Sequence, residues 1–165
     1  MVALTCRLFA GSFSSFPKAR KPNRSGRRGG GTVSELKMLR VIVVDDEPVI
    51  ASSVAMILRI SGFVAEFFTN PNDALKSARI DPPDLLVSDV IMPQMSGIEL
   101  AIAAKEICSE CKVLLFSGQA ATADLLLAAR SRGYEFQLLD KPVHPTDLLA
   151  AIRALNAAGE RRALV

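Results

Sequence analysis

The chain has 165 residues, half of them hydrophobic and 22% charged, which suits one globular domain with a sizeable core and leaves too little chain for two. No apolar run approaches the roughly 18 residues that a membrane-spanning helix needs, so a helical span is excluded. The net charge of +3 hides an asymmetry: residues 1–37 carry eight Lys or Arg against one acid, Glu35, whereas the rest carries twelve against sixteen.

The basic segment has no regular apolar period. Ser12, Ser14, Ser15, Ser25, the run Gly29-Gly30-Gly31 and scattered Arg and Lys describe a disordered tail. Three readings fit it: a transit-type targeting peptide, an arm attracted to phosphates or membrane surfaces, or a start-site artefact ahead of Met38. A secretory signal is not expected, because no apolar stretch of about seven residues follows a basic start. Cys6, Cys108 and Cys111 do not make a disulfide framework, and a reducing cytoplasm fits best. Cys108 and Cys111 have C-x-x-C spacing but follow a helix instead of opening one, so they read as small packing residues.

From Arg40 the chain alternates between two textures. Val41–Val44 is a β-branched run ended by Asp45-Asp46-Glu47. Pro48 then suits the first turn of a helix that stops near Ser61-Gly62. A strand over Val64–Phe68 leads to Asn70, an expected N-cap, and to a helix from Pro71 to about Arg79 that Asp81-Pro82-Pro83 ends. Leu85–Asp89 reads as a strand buried on both faces, with Asp89 at its carboxyl end. Ser96-Gly97-Ile98-Glu99 is a capping-box pattern for a helix to about Ile107. Val113–Phe116 is the fourth strand, ended by Ser117-Gly118, and a helix follows from about Thr122 to Arg132. A fifth strand over Glu135–Leu139 precedes Asp140-Lys141-Pro142. His144, the only histidine, leads into a last helix opened by Pro145 and running through Leu155.

Strict strand–helix alternation with apolar strands predicts a doubly wound, five-stranded parallel sheet of flavodoxin-like (βα)5 type, with helices on both faces. In such sheets, ligands sit beyond the carboxyl ends of the strands. Asp45, Asp46, Asp89, Ser117 and Lys141 all fall there. Three carboxylates within about 5 Å repel by about 3 kcal/mol per ionised pair at an effective dielectric near 20. A proton or a cation must relieve that, and hard carboxylates on an open edge suit Mg²⁺. A carboxylate so primed can attack phosphorus, with Lys141 and Ser117 holding phosphoryl oxygens.

The segments VIVVDDEP, LLVSDVIMPQMSGIEL, VLLFSG and LLDKPVHPTDLLAAI, in that order, resemble the receiver domain of the response regulators of two-component systems. The likeness spans about Arg40 to Leu155. It implies a receiver domain over 38–157, a short tail over 158–165, and strand order 2-1-3-4-5. It also implies phosphorylation at Asp89 by a histidine kinase or phosphotransfer protein. Asp45 and Asp46 match the acidic pair for Mg²⁺, with Asp46 the direct ligand, Asp45 more remote and the Ile91 carbonyl completing the set. Ser117 and Lys141 match the switch hydroxyl and the lysine, and the Lys141–Pro142 bond is expected to be cis. The family's switch aromatic falls at Leu138, which leaves Phe136 as a substitute. Ile91 is apolar and cannot steer an attacking water, so slow autodephosphorylation is expected.

The resemblance implies a signalling module that is not an enzyme beyond self-catalysed chemistry at Asp89, with no DNA-binding output domain. It acts on a downstream effector or through a homodimer via residues 122–155. Leu125-Leu126-Leu127-Ala128-Ala129 there is unusually apolar for a half-solvated helix; core packing is the expected reason for most of it, with a dimer or partner surface the alternative for the excess. Two alternatives stay open: a receiver-like binding module regulated without phosphorylation, and a cofactor binder or phosphohydrolase on the same fold. Against the last stand the absence of a Gly- or Ser/Thr-rich phosphate loop after the first strand, and Ile91 where an aspartate phosphatase would carry a second Asp.

Overall fold

The β-branched and leucine-rich runs form the sheet in this computed structural model, which describes residues 38–118 and 123–162. In chain order the elements are β1 (Arg40–Val44), α1 (Pro48–Ile60), β2 (Val64–Phe68), α2 (Pro71–Ile80), β3 (Leu85–Asp89), α3 (Gly97–Ile107), β4 (Lys112–Ser117), α4 (Ala123–Ser131), β5 (Gln137–Asp140) and α5 (Pro145–Arg162). The sheet has the expected order β2-β1-β3-β4-β5, and every neighbouring pair is parallel.

Successive strand residues point to opposite faces, and each face has its own core. Ile42, Val44, Leu86 and Leu115 meet Leu75 of α2, Leu100 of α3 and Ala129 of α4. Val41, Val43, Val87 and Leu114 meet Leu58 of α1 with Leu148 and Ile152 of α5. Each large aliphatic side chain so buried contributes about 1.5–3 kcal/mol. The central strand β3 is buried along its whole length, whereas the edge strand β2 buries only Ala65 fully. Nor is α1 apolar on its inner side alone. Val49, Met56 and Ile60 form an exposed outward stripe.

Local signals set the helix starts. Asn70 Oδ1 accepts from the Asn72 N–H at 2.9 Å. Ser96 and Glu99 close the capping box on α3, with Ser96 N–H donating to Glu99 Oε2 at 2.8 Å and Glu99 N–H to Ser96 Oγ at 3.2 Å. His144 serves the start of α5, its Nδ1 lying 2.8 Å from Thr146 Oγ1.

Three boundaries differ from expectation. Strand β4 gains Lys112 and Ser117, because the ladder with β3 begins at Leu85↔Lys112 and the one with β5 ends at Ser117↔Asp140. Strand β5 starts two residues late. Gly133, at φ +83°, closes α4, and Tyr134 N–H turns back to the Ala129 carbonyl at 3.0 Å. Tyr134 and Phe136 then stack on each other, 6.0 Å between ring centroids, and pack against the α3–α4 side of the core before the chain joins the ladder at Gln137. Helix α5 continues to Arg162, into the stretch expected as a tail. Residues 1–37, 119–122, among them the expected helix start at Thr122, and the last three residues lie outside the described residues. Cys108 and Cys111 are free thiols; Cys111 is fully buried, and that burial pushes its thiol up to about 12, as suits a packing residue.

Gly97, the first residue of α3, lies against the end of β3. A Cβ there would collide with the Asp89 carbonyl oxygen. Gly97→Ala is therefore expected to destabilise the fold by about 1–3 kcal/mol, read as a lower urea midpoint at unchanged slope. An unchanged midpoint would show that the β3–α3 approach is looser than described.

Candidate functional site

Parallel pairing in register brings the ends of β1, β3, β4 and β5 to one edge, and each end delivers a polar residue. Asp45 follows β1, and its N–H donates to the Phe68 carbonyl at 3.2 Å, which continues the ladder with β2. Asp89 is the last residue of β3, and the next N–H, from Val90, donates to the Phe116 carbonyl at 3.0 Å. Ser117 ends β4 with its side chain buried, and its carbonyl accepts from the Lys141 N–H at 2.7 Å. That last bond sets Lys141 beside the centre of the edge. The Lys141–Pro142 peptide is cis.

The side chains converge on Lys141. Its Nζ stands 3.1 Å from Asp89 Oδ1 and 3.2 Å from Asp45 Oδ2. The other oxygen of Asp45 accepts from the Glu47 N–H at 2.9 Å, which ties the carboxylate to the start of α1. Carboxylate oxygens of Asp45, Asp46 and Asp89 all lie within 4.8 Å of one another. Asp45 is 2% exposed and Asp89 9%, while Asp46 opens to solvent. The pair is thus graded, one acid held inside by the lysine and one left on the rim.

One ammonium does not neutralise three carboxylates, and the protonation balance records this. Burial raises the pKa of Asp89 above the ordinary aspartate value, and the hydrogen bond and charge of Lys141 only partly offset it; the Asp45 charge adds to the rise. Burial alone would lower the pKa of Lys141, but the hydrogen bonds and charges of Asp89 and Asp45 outweigh it and hold the amine above its usual range. The amine therefore stays charged, and the acid it faces remains electron-rich and short of positive charge.

The loop after Asp89 bends sharply. Met95 N–H reaches back to the Pro93 carbonyl at 2.9 Å across Gln94, whose φ of +71° is unusual for a residue with a side chain. Gly97 N–H then donates to the Val90 carbonyl at 2.9 Å. Ile91, inside this loop, is 55% exposed and offers the rim a hydrocarbon side chain.

Five of the residues expected at the site share its edge: Asp45, Asp46, Asp89, Ser117 and Lys141. Phe136 does not reach it. With Gln137 opposite Leu114 and Asp140 opposite Ser117, Phe136 lies four rungs below Ser117, about 13 Å along the strand. Its ring is committed to Tyr134, which corrects the idea that it substitutes for a switch aromatic. Leu138 holds that position and packs into the α3–α4 side of the core. The close approach of Gly97 to Asp89 was not read from the sequence, although a glycine just inside a capping box is its signal.

The chain matches the family description of a response regulator receiver domain over residues 41–153. It is 31% identical over 121 residues to the response regulator receiver protein CpdR of Brucella abortus, covering 73% of this chain and 99% of that one. It is 32% identical over 115 residues to the transcriptional regulatory protein TcrX of Mycobacterium tuberculosis, covering 70% of this chain and 48% of TcrX, so it spans about half the length of that relative. A CheY-like receiver domain from Methanospirillum hungatei JF-1 superposes with a TM-score of 0.69 at 26% identity, covering 76% of this chain and 98% of the other.

The electrostatics carry a test. Because the folded chain holds the Asp89 proton more tightly than the unfolded chain does, this residue favours the native state at low pH, and the benefit is lost as pH rises through its folded pKa. Asp89→Asn is expected to be more stable than the natural protein at neutral pH. The difference should shrink as pH falls through the raised folded pKa of Asp89 and be gone below about 3.9, the unfolded aspartate value. Urea midpoints across that range decide it; a variant less stable at neutral pH would mean that the Lys141 contact dominates over burial.

Proposed function

The chain belongs to the response regulator receiver family of two-component systems, and we propose that it takes a phosphoryl group onto Asp89 from a histidine kinase or phosphotransfer protein. The observation that carries this is the meeting at Lys141 of Asp89 and Asp45, at 3.1 and 3.2 Å, beside the solvent-open Asp46.

An oxygen of the ionised Asp89 carboxylate attacks phosphorus as the bond from phosphorus to the donor's imidazole nitrogen breaks, and an acyl phosphate results. No general base is needed, because the nucleophile already carries its electron pair. Asp89 Oδ1 already lies at 3.1 Å from Lys141 Nζ, so the amine is placed to bind an oxygen of the arriving group. Ser117, at the end of the adjacent strand, supplies a hydroxyl for another. Three carboxylate oxygens within 4.8 Å, one on an open rim, are hard donors that fit a divalent cation. We assign Mg²⁺, with Asp46 and Asp89 as direct ligands, Asp45 more remote and the Ile91 carbonyl completing the protein's share. When bound it supplies positive charge to the transferring group.

Phosphorylation adds about −1.5 to −2 charge at this edge. Lys141 and Ser117 are drawn toward it, and a pre-existing equilibrium shifts. Strand β4 ends in Ser117 and Lys141 directly follows β5, and the two strands flank α4 in the chain, so the reading assigns the response to residues 122–155, as a surface for a downstream effector or a second copy. The alternative, regulation without phosphorylation, rests on Leu138 alone, whereas the convergence of Asp45, Asp46, Asp89 and Lys141 at one edge supports the phosphoacceptor reading.

Two measurements test this. Incubation with acetyl phosphate and Mg²⁺ should add one phosphoryl mass, stable to acid and labile to base, that Asp89→Asn abolishes. Label surviving in that variant would move the site, and no label at all would favour the alternative. Second, the exposed Ile91 side chain cannot orient a water, so the phosphorylated protein should persist for minutes or longer in Mg²⁺ buffer. A lifetime of seconds would contradict it.

A further inference from the structure

Between α3 and α4 runs a groove of about 270 Å³ that the chemistry at Asp89 does not use. Ile98 and Ile102 form one wall and Leu125 and Ala128 the other. The two helices follow consecutive strands of a parallel sheet and so run side by side in the same direction. The α3 residues belong to the buried core, whereas Leu125 is 40% exposed and Ala128 opens to solvent, so the α4 wall is presented outward.

The ends of the groove carry opposite charges. Glu99 stands at the end nearest Asp89, its carboxylate kept ionised by the N–H and hydroxyl of Ser96 at 2.8 and 2.9 Å. Arg132 stands at the far end. From Leu125 to Arg132 is about 10 Å along a helix, or two turns. The volume falls below the roughly 300–1,000 Å³ of small-molecule pockets, and an apolar trough two turns long suits the stripe of a helix instead.

We infer that the α3–α4 groove is a docking site for an amphipathic helix of a downstream partner protein, lying antiparallel to α3 and α4. The charges select that direction. Such a helix places its last turn beside Glu99 and its first turn beside Arg132. Lys or Arg near a helix carboxyl end, and Asp or Glu near its amino end, are also the placements that the helix dipole favours. One orientation therefore satisfies both partners, and the reverse one sets like charges together at both ends. The aliphatic residues of the partner fall at i, i+3, i+4 and i+7. Naming the partner as downstream rests on the phosphoacceptor reading; the groove and its ligand chemistry do not.

The test uses the full chain and a fluorescein-labelled amphipathic peptide of about 14 residues, near the shortest length that holds a helix, with Glu in its first turn and Lys in its last. Fluorescence anisotropy should show saturable binding. Ala128→Arg, which fills the groove from an exposed helix position, should weaken it by about tenfold or more, and Arg132→Glu by about two- to fivefold, the range of a rim charge pair. A peptide with the same composition but a scrambled apolar stripe should not bind. Equal binding by Ala128→Arg, equal binding of the scrambled peptide, or no saturable binding at all would each overturn the proposal. So would concentration-dependent dimers that Ala128→Arg abolishes, since the occupant would then be a second copy. Acetyl phosphate labelling of the same preparations, read by mass, keeps the two claims apart: label with no peptide binding ends the groove alone, and peptide binding with no label ends the phosphoacceptor reading alone.

Discussion

The molecule is organised around a charge imbalance that it does not resolve by itself. Lys141 meets Asp89 and Asp45 at one edge of the sheet, and Asp46 adds a third carboxylate from the rim. Burial makes that crowding costly, and burial heads the causes that hold the Asp89 pKa above its ordinary value. Three carboxylates left short of positive charge are a cluster that could hold a divalent cation, and on the proposed reading that cation would let the carboxylate accept a dianionic group. On the proposed reading, the same feature that weakens the resting fold prepares Asp89 to take a phosphoryl group.

The sheet is what makes the imbalance stable. Asp45, Asp89 and Lys141 are separated by long stretches of chain, and no local structure joins them. They meet because β1, β3, β4 and β5 are parallel and in register, and because each helix returns the chain to the opposite edge. The cores on the two faces hold that register, since a one-residue slip would turn Val43 and Val87 toward the wrong helices. Three backbone bonds then fix the polar ends: Asp45 N–H to Phe68, Val90 N–H to Phe116, and Lys141 N–H to Ser117. The aliphatic strands and the charged edge are parts of one arrangement, the first supplying rigidity and the second its use.

Much of this was legible in the residues. The β-branched run before Asp45 and the apolar run before Asp89 announced strands, and a carboxylate at the end of each announced an edge; the sheet order and the convergence on Lys141 followed from parallel topology. What escaped was set by contacts between distant segments. Phe136 looked like a candidate aromatic by its distance along the chain from Lys141, but its neighbour in space is Tyr134, and the pairing of Gln137 with Leu114 sets it well below the site. The late start of β5 has the same cause: Gly133 and the Tyr134 N–H finish α4 before the strand can begin. Gly97 read as part of a helix cap, and only the fold shows that the Asp89 carbonyl leaves no room for a side chain there. The unequal burial of the acidic pair, Asp45 inside and Asp46 outside, cannot be read from two adjacent identical residues alone, and only the family resemblance distinguished their roles beforehand.

The central claim is that Asp45, Asp46 and Asp89 act as one cation site whose charge Lys141 only partly meets. The most direct measurement is a titration of Mg²⁺ into the isotope-labelled protein, followed by amide chemical shifts. A single saturable set of changes, centred on residues 45, 46 and 89 with Lys141 affected alongside and lost in Asp46→Asn, is what the account predicts. Shifts that centre elsewhere, or a response that Asp46→Asn leaves intact, would contradict it.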